Sequence, residues 1–80
     1  MNQPSPDVCA LVEHVAKRLV EKPEEVAVEI FDDDVLELTV AESDLGRVIG
    51  RQGRTAKALR ALVGAAGMRL GKDYDLEILE

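Results

Sequence analysis

One stretch of the chain, residues 45–72, holds seven of the ten lysine and arginine residues and contains no aspartate or glutamate. The rest of the chain carries all sixteen acidic residues, and the net charge of the whole is −6. A phosphate at contact responds to charges within a Debye length of roughly 8 Å, so the local positive field outweighs the acidic total. The chemistry that this stretch favours is the binding of a phosphate-bearing partner.

At the centre of the stretch lies a segment that begins and ends with glycine, the glycine loop, Gly50-Arg51-Gln52-Gly53. Its glycines allow a positive φ and a close backbone approach to a ligand, because neither has a Cβ. Backbone N–H groups at the start of a helix, with the positive end of its dipole, attract an anion. We therefore predict that the N–H groups of Arg51, Gln52 and Gly53 meet a phosphate. The side chains expected to supply charge around it are Arg47, Arg51, Arg54 and Lys57.

Helices are predicted on both sides of the glycine loop. Residues 43–49 are typical of a short helix, with Ser43 as its N-cap and Asp44 in its first turn. A longer helix is predicted from Arg54 to a stop at Gly71, because its apolar residues fall at i, i+3, i+4, i+7 and i+11. These apolar residues are Leu59, Leu62, Val63, Ala66 and Leu70.

Two glycines, Gly64 and Gly67, lie inside the longer helix, where each costs up to about 1 kcal/mol relative to alanine. They would allow a close approach to a neighbouring strand or to a second subunit. Alternatively, the helix ends earlier than its apolar pattern indicates. The sequence leaves these alternatives open.

The chain before this region predicts a first helix over residues 5–22, preceded by a flexible segment, residues 1–5. Ser5 can cap the helix, Pro6 suits its first position, Asp7 favours its dipole and Pro23 ends it. The apolar face that we expect in the core consists of Val8, Leu11, Val12, Val15 and Leu19. In the same helix Cys9 is expected to be buried or half-buried and His14 to be a solvated surface residue.

Alternation with period two predicts strands at residues 26–31 and 35–41 and a short last strand at residues 74–78. Asp32-Asp33-Asp34 would form the hairpin turn between the first two. Three acids could attract a hard cation, but the turn lacks the glycine and the final glutamate of a calcium loop, so no metal site is expected. The order α-β-β-α-α-β predicts an α+β fold of two layers, with the helices packed on one face of a three-stranded sheet.

The string Val48-Ile49-Gly50-Arg51-Gln52-Gly53, a hydrophobic pair and G-x-x-G between two helices, resembles the signature of the KH RNA-binding domain. The resemblance covers nearly the whole chain, and the element order is similar to the prokaryotic, type II KH fold. That variant implies a mixed three-stranded sheet in which the last strand lies parallel beside the first. It also implies one KH domain over residues 1–80 that binds single-stranded RNA.

The resemblance further implies that Val48 and Ile49 line an apolar groove for bases, and that an edge strand such as residues 35–41 offers peptide groups to base edges. Core packing of Val48 and Ile49 is an equal alternative. The complete candidate site is Arg47, Val48, Ile49, Gly50, Arg51, Gln52, Gly53, Arg54 and Lys57. No catalytic or metal-binding residue and no cofactor is predicted.

With one phenylalanine and one tyrosine, the chain lacks the aromatic platform on which other RNA-binding domains stack bases. Binding by one copy should therefore be weak, and broad in sequence because phosphate contacts carry no base information. Pairing of copies would raise affinity. The resemblance implies a homodimer, a complex with a larger KH-containing partner, and a role as a post-transcriptional regulator or RNA chaperone that affects cell growth, division and shape.

The main alternative is a protein-interaction or dimerisation module with a KH-like fold and no RNA binding. A helix-turn-helix fits less well, because the first helix is short and the loop is bounded by glycines. A nucleotide-binding P-loop requires the pattern G-x-x-x-x-G-K-[ST]. Here no glycine lies five residues before Gly53, and Arg54 occupies the lysine position. An enzyme with a small-molecule substrate is not expected, because the basic stretch has no carboxylate, thiol or imidazole. The chain has no membrane-spanning run or signal-like start, so a cytoplasmic location is expected.

Overall fold

The computed structural model of the chain describes residues 8–32 and 34–80. Its helices and strands are α1 (Val8–Leu19), β1 (Ala27–Phe31), β2 (Val35–Thr39), α2 (Leu45–Ile49), α3 (Arg54–Leu70) and β3 (Asp75–Ile78). Single turns of 3-10 helix precede β1, α2 and α3, at Pro23–Glu25, Glu42–Asp44 and Arg51–Gly53. The predicted order α-β-β-α-α-β and the α+β class are therefore confirmed.

Some predictions fall on residues that lie outside the described part of the chain. These are the flexible segment at residues 1–5, the start of the first helix with Ser5, Pro6 and Asp7, and the middle of the hairpin turn at Asp33. The described ends of that turn join β1 to β2, and Asp32 has a φ of 56°. A short polar side chain tolerates this left-handed conformation better than most.

The three strands form one mixed sheet in the order β1-β2-β3. β1 and β2 are antiparallel, with Phe31 opposite Val35, and β3 is parallel to β2, with Asp75 beside Val35. The expectation that the last strand lies beside the first is therefore wrong, because β2 lies between them. A parallel neighbour requires a long crossover connection, and α2 and α3 supply it between β2 and β3.

The core lies between the helices and one face of the sheet. Its buried members are Val8, Val12, Ala16, Val26, Leu36, Leu38, Val40, Val48, Leu59, Val63 and Leu76. Most of the predicted apolar positions are among them or pack against them, as Cys9 does. Leu11 is half-buried and is not among these residues. The exposed exceptions are Leu19, Ile30 and Leu62, at 36%, 45% and 37% exposure. Leu19 lies at the end of α1, Ile30 on the edge strand β1 and Leu62 at the margin of the apolar face of α3, where no other element covers them fully. His14 is exposed as predicted.

The two glycines inside α3 have different surroundings. A Cβ on Gly67 would lie 2.7 Å from the carbonyl oxygen of Lys72 and 3.0 Å from Cδ2 of Tyr74, so the chain entering β3 passes too close for a side chain. A Cβ on Gly64 would meet nothing within 4 Å. The helix does not end early: Gly71 has a φ of 70°, and the N–H of Lys72 donates to the Gly67 carbonyl at 2.8 Å, which closes a Schellman cap.

We predict opposite effects of alanine at these two glycines. Gly64→Ala should raise the free energy of unfolding by about 0.5–1 kcal/mol, because alanine lowers the entropy of the unfolded chain and the site is open. Gly67→Ala should lower it by about 1–3 kcal/mol, because the new methyl group overlaps backbone and a ring. Urea denaturation of the two variants measures both values, and each variant is the other's control. A shift in the same direction would contradict the packing described for α3.

Candidate nucleic-acid interface

The glycine loop turns sharply through left-handed backbone. Gly50, Gln52 and Gly53 have φ angles of 78°, 58° and 75°. A Cβ on Gly50 would overlap the side chain of Thr55 and would lie 2.8 Å from the Thr55 backbone nitrogen, whereas a Cβ on Gly53 would meet nothing within 4 Å. Gly50 is therefore required both by its φ and by the closeness of α3, and Gly53 by its φ alone.

The backbone donors of the loop divide into those used within it and those left over. The N–H of Gly53 donates to the carbonyl oxygen of Gly50 at 3.0 Å, and that of Arg54 donates to Arg51. The N–H groups of Arg51 and Gln52 donate to no backbone carbonyl in the described residues. Two of the three predicted phosphate donors thus remain available at the start of the 17-residue α3, and Gly53 is committed to the loop itself.

Three cationic side chains surround the loop. Arg51, Arg54 and Lys57 are exposed, and within the described residues none of them lies within ion-pair distance of a carboxylate. Nη2 of Arg54 donates to Oε1 of Gln52 at 3.1 Å, which holds the guanidinium across the loop. These three charges, at the positive end of α3, form a local anion-attracting field.

Arg47 was predicted to belong to this set, but its charge is matched by two carboxylates. Its Nη2 donates to Oε2 of Glu21 at 2.9 Å, and its Nε lies 3.3 Å from Oδ1 of Asp44. The guanidinium therefore faces the segment that follows α1. Arg47 contributes to the position of α2 and adds little free positive charge to the loop.

The carboxylate of Asp44 is only 1% exposed and connects three parts of the chain. Oδ1 accepts the backbone N–H of Glu21 at 3.0 Å, and Oδ2 accepts that of Lys22 at 3.1 Å. The predicted capping role of Ser43 is not observed, since no side-chain hydrogen bond caps α2. Sequence reasoning placed Asp44 in a helix turn; its i,i+3 spacing from Arg47 was the one signal that could have indicated the ion pair.

The hydrophobic pair before the loop splits between two roles. Val48 is fully buried in the core, whereas Ile49 is half-buried. Ile49 shares a helix face with Leu45, one turn earlier. Leu45 lines a depression of about 290 Å³, the α2 groove, whose residues are Thr39, Val40, Glu42, Leu45, Leu79 and Glu80. This volume suits part of a ligand better than a whole drug-sized molecule.

The edge strand beside this region is β3. Residues 35–41 cannot offer peptide groups to a ligand as predicted, because β2 is the central strand and is paired on both sides. The N–H of Asp75 in β3 donates to the carbonyl oxygen of Asp34, just before β2, so the peptide groups of Asp75 point towards β2. Successive residues of a strand point their peptide groups to opposite sides, so those of the next residue, including the Leu76 carbonyl, point away from the sheet. Nε of Arg60 in α3 donates to that carbonyl at 3.2 Å.

The sheet face that lies opposite the helices is acidic. Glu29 is paired in register with Glu37, and Glu37 with Glu77, so three carboxylates form one row across the strands. Like charges in register repel one another and any approaching phosphate. An anion is therefore repelled by this face, whereas the exposed cations around the glycine loop attract it. Among the described residues no cluster of histidine, cysteine and acids is suited to a metal ion, and no helix is long and apolar enough to cross a bilayer.

Comparison with known proteins gives one consistent family. The model of the KhpA/KhpB KH domain matches residues 10–78. "RNA-binding protein KhpA" of Clostridium perfringens is 49% identical over 72 residues, which are 86% of this chain and 96% of the relative. The protein of the same name from Aquifex aeolicus is 45% identical, and that from Borreliella burgdorferi 41%, each over 73 residues, which are 88% of this chain and 92% and 89% of the relatives. No solved structure matches the chain.

We predict that Asp44→Ala lowers the free energy of unfolding by about 2 kcal/mol or more, because two backbone donors and Arg47 lose a buried, charged acceptor. Ser43→Ala is the matched control: this neighbour is exposed and caps nothing, so its effect should stay within about 0.5 kcal/mol. Urea denaturation of both variants measures the difference. Equal effects would mean that the Asp44 contacts do not stabilise the fold.

Proposed function

The chain belongs to the KH-domain family of KhpA and KhpB, and we propose that it binds single-stranded RNA through the glycine loop. The observation that carries the proposal is the loop itself. It presents three exposed cations at the start of α3 and two backbone N–H groups that donate to no backbone carbonyl in the described residues. The printed names of the relatives support RNA as the source of the phosphate.

In this mechanism the phosphate is held chiefly by backbone. The N–H groups of Arg51 and Gln52 donate to its oxygens, and the positive end of the α3 dipole adds to the attraction. Arg51, Arg54 and Lys57 surround it with charge. Because the Gln52 amide oxygen already orients Arg54, this guanidinium loses little side-chain freedom when the phosphate arrives.

The bases would lie along α2. Ile49 continues the apolar face of Leu45 towards the loop and offers an aliphatic surface, while Val48 supports that surface from the core. Gly46, whose Cβ would meet nothing within 4 Å, keeps the exposed side of this short helix open. Outward peptide groups of β3 other than the Leu76 carbonyl, which Arg60 occupies, would receive base edges in place of the predicted strand at residues 35–41.

Such a site should be weak and broad in sequence. Neither aromatic residue lines the α2 groove: Phe31 lies at the hairpin end of β1, and Tyr74 packs beside Gly67. Phosphate contacts position the strand without reading it. We therefore infer that useful affinity needs a second KH domain, in a homodimer or in a complex with KhpB, since linked weak sites can gain ~10²–10⁴-fold in avidity.

As a cytoplasmic protein of this kind, the chain would act after transcription as a regulator or RNA chaperone, with effects on cell growth, division and shape.

The alternative function is that of a protein-interaction module that does not bind RNA. One observation favours it: Met68 is 80% exposed on α3, one turn after the open Gly64, so this helix carries an apolar surface that a second protein could cover.

The proposal predicts that the double variant Arg51→Asp, Gln52→Asp loses RNA binding by at least tenfold. Two carboxylates in the loop would repel the phosphate, while aspartate tolerates the positive φ of Gln52 and the glycines stay in place. The measurement is fluorescence anisotropy of a short single-stranded RNA at two salt concentrations. The logarithm of the native binding constant should fall linearly with the logarithm of the salt concentration, with a slope of about −0.7 for each phosphate contact.

The matched control is His14→Glu, Arg18→Glu, which changes the net charge by the same amount at exposed positions of α1. It should keep affinity within about threefold, and circular dichroism should show all three proteins folded. If the loop variant binds as the control does, the glycine loop is not the site. If the folded native protein binds no RNA at any concentration that permits dimerisation, the interaction module is the correct function.

A further inference from the structure

The α2 groove combines apolar walls with unpaired acidic residues. Val40, Leu45 and Leu79 supply the apolar surface, and Thr39 adds a hydroxyl group. Glu42 and Glu80 are exposed at its margin, and neither forms an ion pair with the described residues. The groove therefore offers a planar apolar molecule a place to lie and offers hydrogen-bond acceptors that lack donors.

The position of the groove relates it to the glycine loop. Leu45 and Ile49 begin and end α2 on the same face, so the groove lies about 6 Å along the helix from the residue that precedes the loop. Cations surround the loop, whereas carboxylates border the groove. A strand whose phosphate sits on the loop would therefore have its neighbouring phosphates kept out of the groove, and a base would enter it instead.

The chemistry of the acceptors decides which base is favoured. Cytosine presents its N4 amino group and adenine its N6 amino group, and a glutamate accepts readily from such a donor. Uracil presents carbonyl oxygens on both sides of its single N–H, and these repel a carboxylate. The apolar walls do not distinguish the two pyrimidines, because the rings have nearly the same size.

We propose that the α2 groove is a base-selecting subsite in which Glu42 and Glu80 favour a base with an exocyclic amino group over uracil. This inference rests on the proposed RNA binding and adds a limited sequence preference to a site that is otherwise broad. The discrimination resides in one nucleotide position beside the phosphate on the loop. Phosphate contacts hold the strand at the other positions without selecting among the bases.

The test compares oligo-C and oligo-U hexamers by fluorescence anisotropy with the native chain and with the double variant Glu42→Gln, Glu80→Gln. The native protein should bind oligo-C at least about fivefold more tightly, the lower end of what a good side-chain-to-base pair provides. In the variant the ratio should fall below about twofold, because an amide both donates and accepts. Both hexamers carry the same phosphates, so the ratio is insensitive to the loss of negative charge.

The control variant is Glu24→Gln, Glu25→Gln, which makes the same charge change at exposed positions outside the groove. It should retain the native ratio. A native protein that binds both hexamers in a salt-dependent way with equal affinity would overturn the base preference and leave RNA binding intact. A preference that persists in the groove variant would also overturn it. Absence of any binding would instead contradict the proposed function.

A second measurement needs no protein variant. Single uridines are placed in turn along an oligo-C hexamer and each RNA is measured with the native chain. The inference requires a loss of affinity concentrated at one position relative to the others. An even, small loss at every position would overturn it, because one groove holds one base.

Discussion

The position of the glycine loop depends on the buried carboxylate of Asp44. A charge removed from water is costly unless it is paired and hydrogen-bonded, and Asp44 meets both conditions through two backbone N–H groups and Arg47. The partners come from the segment after α1 and from α2. Because α2 has only five residues, its helix propensity is too weak to fix its position. Tertiary contacts such as those of Asp44 must therefore hold it in place.

Within α2 and the loop, neighbouring residues serve different purposes. Arg47 pairs with two acids, Val48 fills the core, Ile49 is half-buried on the helix face of Leu45, and Arg51 forms no ion pair with the described residues. A helix turns by about 100° per residue, so consecutive side chains must point to different surroundings. The sharp left-handed turn that begins at Gly50 then aims the loop away from the core and lets α3 start at once.

The distribution of charge gives the molecule two unlike sides. A row of glutamates crosses the outer face of the sheet, while the loop and the start of α3 carry cations that form no ion pair with the described residues. At physiological ionic strength the fields of these two regions are largely screened from each other. An acidic protein can therefore present a local surface for phosphate, and its negative remainder limits the ways in which a polyanion can lie on it.

What the sequence determined by itself is local. The element order follows from apolar periodicity and from glycine and proline positions, and the glycine loop follows from a spacing that only a tight turn between helices explains. What only the tertiary structure decided depends on contacts between distant residues. Arg47 pairs with Glu21, which lies 26 residues away in the sequence. β3 lies at an edge of the sheet because it pairs with β2, which occupies the centre. The need for Gly67, but not for Gly64, comes from the path of the chain into β3. Periodicity cannot reveal such contacts, because it records which face of an element is apolar but not what that face meets.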